Sequence, residues 1–118
     1  SQLKPFFWVA SSKKDLLAMP RKIQDTFGYG LYLAQTGEKS AAAKVLKGFG
    51  SAGVLEIIDD WQGNTYRAVY TVKFNGSVYV LHCFQKKSAK GIGTPKPDMA
   101  LINERLRAVK QIELRNFQ

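Results

Sequence analysis

The dipeptide Asn75-Gly76 is the feature that most constrains the fold of this chain, because it separates two runs of β-forming residues. The runs are TYRAVYTVKF before it and SVYVLHCFQ after it. Asn-Gly favours a two-residue hairpin turn, since both central residues of that turn adopt positive φ. We therefore predict an antiparallel hairpin in which Phe74 lies opposite Ser77.

This register assigns every hairpin residue to one face of a sheet, because side chains alternate along a strand. One face is predicted to carry the pairs Lys73/Val78, Thr71/Val80, Val69/His82, Arg67/Phe84 and Thr65/Lys86. The other face is predicted to be core and carries Val72/Tyr79, Tyr70/Leu81, Ala68/Cys83 and Tyr66/Gln85. Arg67, His82 and Lys86 should therefore protrude together, with Arg67 diagonal to the other two at roughly 7–8 Å. The valines on their face predict partial cover by the C-terminal helix or by a partner protein.

Periodicity before the hairpin predicts two helices. FFWV (6–9) reads as a short strand, and a helix follows with Ser12 as its N-cap. Pro20 suits the first position of a second helix, which Gly37 should end. The buried stripe of that helix is predicted to be Ile23, Phe27, Leu31 and Ala34.

The rest of the chain completes an α+β domain. Residues 38–53 are predicted to be part helix and part loop, and VLEIID (54–59) to be a strand. Together with the hairpin, that strand forms a three-stranded antiparallel meander. From Pro97 a C-terminal helix is predicted on an apolar stripe of Met99, Ile102, Leu106 and Val109, with Arg105, Arg107 and Lys110 largely outside it.

Length and charge narrow the class of protein. The 118 residues suit one domain, 1–118, and a net charge of +9 predicts a polyanionic partner such as nucleic acid, anionic lipid or an acidic protein segment. Cys83 is the only cysteine, so no intrachain disulfide is expected. No stretch approaches the ~20 apolar residues of a membrane span, and the first residues lack the apolar stretch of a signal peptide. We expect a cytoplasmic protein without a membrane segment.

Several kinds of site are disfavoured by the pattern. The match of GFGSAG (48–53) to G-x-G-x-x-G lacks the preceding strand and following helix of a dinucleotide site, which favours a simple turn. His82 is the only histidine and has no ligand cluster around it, so neither a metal, a cofactor nor a hydrolytic triad is predicted.

Arg67, His82 and Lys86 together instead form a phosphate-sized group of polar side chains. The structural alternatives for these residues are ordinary ones. Arg67 could pair with Glu56 or one of the aspartates after it, and His82 could pack against Val69.

Four segments carry a family resemblance: LKGFG…GVLEI, TYRAVYTV, LHCFQKKS and TPKPDMALINERL. In this order they resemble the RelE/ParE superfamily of type II toxins, in its HigB-like, phage-associated branch, over nearly the whole chain. The resemblance implies an mRNA endonuclease, commonly acting on messages held in the ribosome and silenced by a cognate antitoxin. It aligns Arg67 with the family's catalytic arginine, and Lys86 and Lys87 with its basic cluster. The lysines on the second strand of RelE are Glu56 and Ile58 here.

This resemblance and the charge pattern predict metal-independent RNA cleavage, in which a 2′-OH attacks the adjacent phosphorus. Arg67 is predicted to stabilise the transition state, because a guanidinium holds phosphate in a fork and stays protonated, and Lys86 and Lys87 add charge. Glu56, which the resemblance places beside Arg67, ranks ahead of His82 as the general base. A lysine is a third possibility for that role.

Other partners and functions stay open. Lys44 and Lys47, predicted to share a helical face, are expected with Lys90 to hold the RNA backbone without reading its sequence. An acidic, amphipathic antitoxin segment, joined to a helix-turn-helix DNA-binding domain, is the expected protein partner. The alternatives are a ParE-like, non-enzymatic inhibitor of DNA gyrase and a basic RNA-binding module.

Overall fold

The computed structural model describes residues 2–50, 53–74, 76–86 and 93–116 and has the predicted α+β class. Its elements, in chain order, are β1 (Phe6–Trp8), α1 (Ser12–Leu17), α2 (Arg21–Gln35), β2 (Ala43–Val45), β3 (Val54–Trp61), β4 (Asn64–Thr71), β5 (Val78–Lys86) and α3 (Lys96–Asn116). Within these ranges, none of the helices combines the length and hydropathy that a membrane crossing requires.

One five-stranded sheet, in the order β1-β5-β4-β3-β2, organises the chain. The predicted meander forms its centre, and β1 joins β5 in parallel at one edge. Strand β2 forms the other edge, antiparallel to β3 with Lys44 opposite Glu56. The prediction of helix and loop for this segment was wrong at Ala43–Val45, because pairing along an available strand edge overrides local helix propensity.

Helix α1 is attached to the sheet by its first residue. Ser12 was predicted to be the N-cap, but it lies inside the helix, and its buried hydroxyl donates a hydrogen bond to the carbonyl oxygen of Val80 at 3.2 Å. Ser11 occupies the N-cap position instead, and its hydroxyl donates to the Asp15 carboxylate at 2.7 Å.

Helix α2 packs on the sheet through the stripe that the sequence predicts. Ile23, Phe27, Leu31 and Ala34 are all buried. Pro20 precedes the helix rather than opening it, and Gly37 follows its end with φ 91°, as the predicted stop requires. Gly30 lets the helix approach the sheet closely, since a Cβ there would lie 2.7 Å from Cδ1 of the buried Ile57.

The sheet separates two apolar cores. The core beneath α1 and α2 includes Leu16, Ile23, Phe27, Ile57, Ala68, Tyr70, Val78, Val80 and Cys83. The core beneath α3 includes Val54, Val69, Tyr79, Leu81, Phe84, Ile102, Leu106 and Val109. The stripe predicted for the C-terminal helix therefore faces the sheet, and this helix covers the Arg67 face, as one of the two alternatives had it.

The β4–β5 register follows the prediction only in the half farther from the turn. The turn itself forms, since the Ser77 amide donates to the Phe74 carbonyl oxygen at 2.9 Å, although Asn75 lies outside the described residues. The five pairs from Thr65/Lys86 to Val69/His82 are as predicted, but a bulge then moves the partners by one residue, to Tyr70/Val80 and Thr71/Tyr79.

The bulge changes which residues of β5 pack into the core on each face of the sheet. The predicted pairs Thr71/Val80, Tyr70/Leu81 and Val72/Tyr79 were wrong, whereas Lys73 lies beyond the end of β4. Val78 and Val80 enter the core beneath α2, whereas Tyr79 and Leu81 pack under α3. A bulge places two residues of one strand opposite one residue of its partner, so one strand can face both cores with apolar side chains.

Candidate functional site

Three polar side chains are buried on the α3 face of the sheet. Glu56, Arg67 and His82 are 2%, 4% and 5% exposed and come from β3, β4 and β5. Glu56 and His82 both lie opposite Val69, and Arg67 lies in the next row of the sheet. The prediction that Arg67 and His82 share a face is confirmed, but the prediction that they protrude was wrong, because α3 covers them. Buried polar groups are normally hydrogen-bonded, so the partners of these three side chains define the site.

Arg67 forms a buried ion pair with Glu56. Its Nη1 lies 3.3 Å from Oε2 and 3.4 Å from Oε1 of the carboxylate, and donates to the hydroxyl oxygen of Thr94 at 3.3 Å. Burial removes the water that would weaken the pair, so each charge depends on the other for compensation. Thr94, just before α3, is a second acceptor for the same nitrogen and helps to hold the guanidinium in place.

A cavity of about 270 Å³ opens beside the Glu56 carboxylate. Lys44, Lys47, Glu56, Thr94 and Met99 are among the residues that line it. Lys44 lies on β2 directly opposite Glu56, and its Nζ is 3.9 Å from Oε1. The side chain of Lys44 is 56% exposed, so it can meet an incoming anion while it faces the carboxylate. The cavity thus combines a proton acceptor with two cations that suit a phosphate.

His82 belongs to a different network, which α3 completes. Its Nε2 is 2.8 Å from Oδ1 of Asp98, and its Nδ1 is 3.3 Å from Nη1 of Arg105. Arginine can only donate, so Nδ1 accepts and the proton of the neutral ring lies on Nε2, where it is donated to Asp98. The ring also stacks on Phe84, with 4.7 Å between ring centres.

Arg105 extends this network to the bulge and to α1. Its Nη1 donates to the carbonyl oxygen of Leu81 at 2.9 Å, and its Nη2 donates to the Ser11 hydroxyl oxygen at 3.1 Å. Ser11 in turn donates to Asp15. One guanidinium therefore connects α1, the bulged residue of β5 and the imidazole.

A family model described as "Phage derived protein Gp49-like (DUF891)" matches residues 14–107. The chain belongs to the Gp49-like family. A search of curated proteins gives no match. Among solved structures, a chain of the toxin–antitoxin complex RelBE2 from Mycobacterium tuberculosis is similar, with a TM-score of 0.47 and 18% identity, over 73% of this chain and 94% of that chain.

The predicted site residues of this Gp49-like protein fall into two groups. Lys44, Lys47 and Glu56 line the smaller cavity and Arg67 is the buried ion-pair partner of Glu56, whereas His82 is part of the Arg105 network. Lys44 and Lys47 do not share a helical face as predicted, because Lys44 lies in β2 and Lys47 in the turn after it.

The cations at the end of β5 are only partly described. Lys86 is half-buried and pairs with Thr65, and the alternation along the strand puts it on the same side of the sheet as Arg67. Lys87 and Lys90 lie outside the described residues. Their predicted roles therefore remain predictions.

Three partners of the buried polar residues were not predicted: Thr94, Asp98 and Arg105. Asp98 and Arg105 are seven residues apart, which is two helical turns, and each lies four residues from the apolar stripe of α3, before Ile102 and Val109. A charged residue in register with an apolar stripe is the signal that could have identified both. Arg105 was instead assigned to the outside of the stripe. Thr94 precedes the helix and carries no comparable signal.

Proposed function

We propose that this Gp49-like protein is the toxin of a type II toxin–antitoxin system, in the HigB-like branch, and that it is a metal-independent mRNA endonuclease acting in the cytoplasm on messages held in the ribosome. Gp49-like proteins are a RelE-like toxin family. The observation that carries the proposal is the buried Glu56–Arg67 pair beside a cavity that Lys44 and Lys47 also line.

The proposed reaction is an internal transesterification of RNA. The 2′-oxygen attacks the adjacent phosphorus, the bond from phosphorus to the 5′-oxygen breaks, and the products are a 2′,3′-cyclic phosphate and a 5′-hydroxyl. A base removes the proton of the 2′-OH, an acid protonates the 5′-oxygen, and cations stabilise the charge that builds up on the phosphoryl oxygens.

Glu56 and its two cationic neighbours supply each of these roles. Glu56 is the base, Arg67 binds the phosphoryl oxygens, and Lys44 donates a proton to the 5′-oxygen. The 3.9 Å between Lys44 and Glu56 supports this division, because a proton taken up by the carboxylate can return to the amine and reset the site. Thr94 positions Arg67 through its hydroxyl oxygen.

His82 is the weaker candidate for the base. Both of its ring nitrogens are engaged, one by Asp98 and the other by Arg105. It could accept a proton from RNA only after α3 released it. Glu56 instead borders the cavity that Lys44 and Lys47 also line, so its carboxylate lies beside cations that suit a phosphate.

The remaining cations bind the RNA backbone in this proposal. Lys47 borders the cavity, and Lys86, Lys87 and Lys90 follow one another at and after the end of β5. Contacts of this kind are independent of base sequence and weaken with salt.

A cognate antitoxin is the proposed protein partner, with an acidic amphipathic segment that binds the toxin and a helix-turn-helix domain that binds DNA. The net charge of +9 supports an acidic partner. Charge steering should make the association rate fall as salt is added. A neighbouring reading frame whose product neither binds this chain nor relieves its toxicity would contradict this partner.

The test of the nuclease is primer extension on cellular mRNA after induction of the chain. The wild type should produce discrete cleavage sites. Lys44→Ala should slow cleavage by about a hundredfold or more while the fold is kept, because it removes an exposed side chain with a transition-state role. Lys14→Ala, which removes an exposed lysine of α1, is the matched control and should cleave as the wild type does. Intact mRNA with blocked replication would instead indicate gyrase inhibition.

A further inference from the structure

A second and larger cavity, of about 660 Å³, borders the first turn of α3. That turn and the two residues before it contribute to both cavities, with Thr94 and Met99 in the smaller one and Pro95 and Asp98 in the larger one. The larger cavity lies against β5, two strands from Glu56 on β3. At the usual spacing of neighbouring strands, β3 and β5 are about 10 Å apart, a separation that neighbouring nucleotides of single-stranded RNA can span.

The walls of this cavity are mostly apolar and suit a flat ring. Met19 and Pro20 come from the segment between α1 and α2, Phe84 from β5, and Pro95 from the start of α3. Aromatic and apolar side chains of this kind hold the faces of unstacked bases in single-stranded RNA.

The charged residues described in the wall of the larger cavity are acidic, whereas two lysines and Glu56 line the smaller one. Its described lining residues include the carboxylates of Asp15 and Asp98 and no lysine or arginine, in a chain of net charge +9. A phosphate is therefore disfavoured here. Arg105 lies behind the wall and compensates part of this negative charge through His82 and Ser11, so the cavity is not a strong cation site.

Each of the two carboxylates accepts a side-chain hydrogen bond through only one of its oxygens. Asp15 accepts from Ser11 through Oδ2, and Asp98 accepts from His82 through Oδ1. Within the described ranges, the second oxygen of each has no hydrogen bond. A carboxylate is an acceptor only, so the group that fits must present hydrogen-bond donors.

We propose that this cavity binds a nucleobase of the RNA next to the cleaved phosphate, that it selects guanine, and that Asp15 reads the base. Guanine alone among the four bases has two adjacent donors, at N1 and at the exocyclic amino group, that match a carboxylate. Adenine and cytosine place an acceptor beside their amino group, and uracil places its one donor between two carbonyls. An acceptor facing the carboxylate would leave both groups unsatisfied, which is the strongest basis for rejection.

Asp15 is the reader because its one described partner is a serine hydroxyl, whereas Asp98 is engaged by an imidazole that Arg105 fixes from the other side. The inference rests on the proposed nuclease function, since it identifies a base subsite of that substrate. Binding of isolated nucleotides nevertheless tests it without any cleavage.

The experiment is a titration of the purified chain with five nucleoside 5′-monophosphates, followed by NMR amide shifts: GMP, IMP, AMP, CMP and UMP. All five carry the same phosphate, so differences report on the base. We expect GMP to shift the amides of Asp15, Met19 and Phe84 and to bind about tenfold more tightly than AMP, CMP and UMP. IMP lacks the exocyclic amino group and should fall between GMP and the others.

Asp15→Asn should remove most of the preference for GMP, because it replaces one acceptor oxygen with a donor of similar size. Asp25→Asn, at an exposed aspartate of α2, is the matched control and should keep the preference. Amide spectra of both variants check the fold, and the comparison of GMP with IMP on the wild type tests the pocket even if Asp15→Asn does not fold.

Equal affinities for all five nucleotides, or shifts confined to residues around Lys44, would overturn the inference. So would an Asp15→Asn variant with undiminished preference, or tighter binding of N-acetyl-arginine amide than of GMP, which would indicate a pocket for a cationic side chain. The two proposals fail differently. Selective GMP binding without mRNA cleavage rejects only the nuclease, whereas cleavage without guanine next to the cut and without GMP selectivity rejects only the pocket.

Discussion

Replacement of Arg67 by alanine should destabilise the folded chain, in contrast to what a protruding side chain would predict. The change leaves the carboxylate of Glu56 buried without its guanidinium partner. Removal of one member of a buried ion pair typically costs about 3–5 kcal/mol. Lys44 can compensate part of the charge, but its ammonium is 3.9 Å away and its side chain is more than half exposed, so water screens it. We therefore expect a loss near the lower end, about 3 kcal/mol.

The measurement is urea unfolding followed by tryptophan fluorescence and circular dichroism. For a domain of this size, a loss of about 3 kcal/mol corresponds to a fall in Tm of roughly 10–15 °C. Glu56→Leu combined with Arg67→Met removes both charges and should recover most of the lost stability, because apolar side chains of similar volume often replace a buried pair at little cost.

The double variant also separates stability from activity. It should fold and yet leave mRNA intact, since it has neither the proposed base nor the cation that binds phosphate. An Arg67→Ala variant that unfolds within about 0.5 kcal/mol of the wild type, the range of ordinary surface changes, would refute the reasoning about the buried pair. A double variant no more stable than Arg67→Ala would refute the coupling between the two charges.

Three further predictions concern other parts of the fold. Gly30→Ala should destabilise the fold by about 1 kcal/mol, because its Cβ would lie 2.7 Å from a buried isoleucine carbon. Gly28→Ala, which has open space around it, should stabilise by about 0.5–1 kcal/mol. Thermal unfolding compares the two variants, and equal effects would contradict the close approach of α2 to the sheet. Burial raises the pKa of the Cys83 thiol to about 12, so Cys83 should react with a thiol reagent only on unfolding, and fast labelling of the native chain would count against this. Burial raises the pKa of Asp59, but hydrogen bonds, among them one from Lys22, outweigh burial and lower the pKa below 3.8. The stability that Asp59 contributes should therefore be present above pH 3.8 and lost as the pH falls below that value. Acid titration of Asp59→Asn and of the wild type measures this difference.

The part of the site that could be predicted depends on local geometry. The half of the hairpin farther from the turn keeps the predicted register, so alternation along β4 and β5 there puts Arg67 and His82 on one face, as predicted. Alternation assigns a face but says nothing of what covers it. The residues that bury Arg67 and His82 are Thr94, Asp98 and Arg105, which are distant in the sequence, and so the burial of the pair could not be predicted.

The bulge in β5 could not be predicted because both faces of that strand are apolar near the turn. Val78 and Val80 suit the core beneath α2, and Tyr79 and Leu81 suit the core beneath α3, but either pair would be acceptable on either side. A shift of one residue exchanges the faces without exposing an apolar side chain, so the hydrophobic pattern cannot detect it.

Strand β2 was missed for a different reason. Its residues follow an alanine-rich stretch with high helix propensity, and only three of them pair with β3. This segment becomes a strand because it can pair with β3, which follows it in the sequence. This strand brings Lys44 opposite Glu56. The strongest geometric support for the proposed acid–base pair therefore lies in a segment that the sequence predicted to be helix and loop.

The parallel pairing of β1 with β5 has a consequence for how the protein is made. Phe6–Trp8 leaves the ribosome well before Val78–Val80, with which it pairs, and the parallel arrangement excludes a short local connection. Contacts between such distant parts of a chain form late in folding, because the intervening loop must close first. The segment that supplies Thr94, Asp98 and Arg105 emerges later still. A growing chain should therefore stay without an assembled site until this segment has left the ribosome and docked on the sheet.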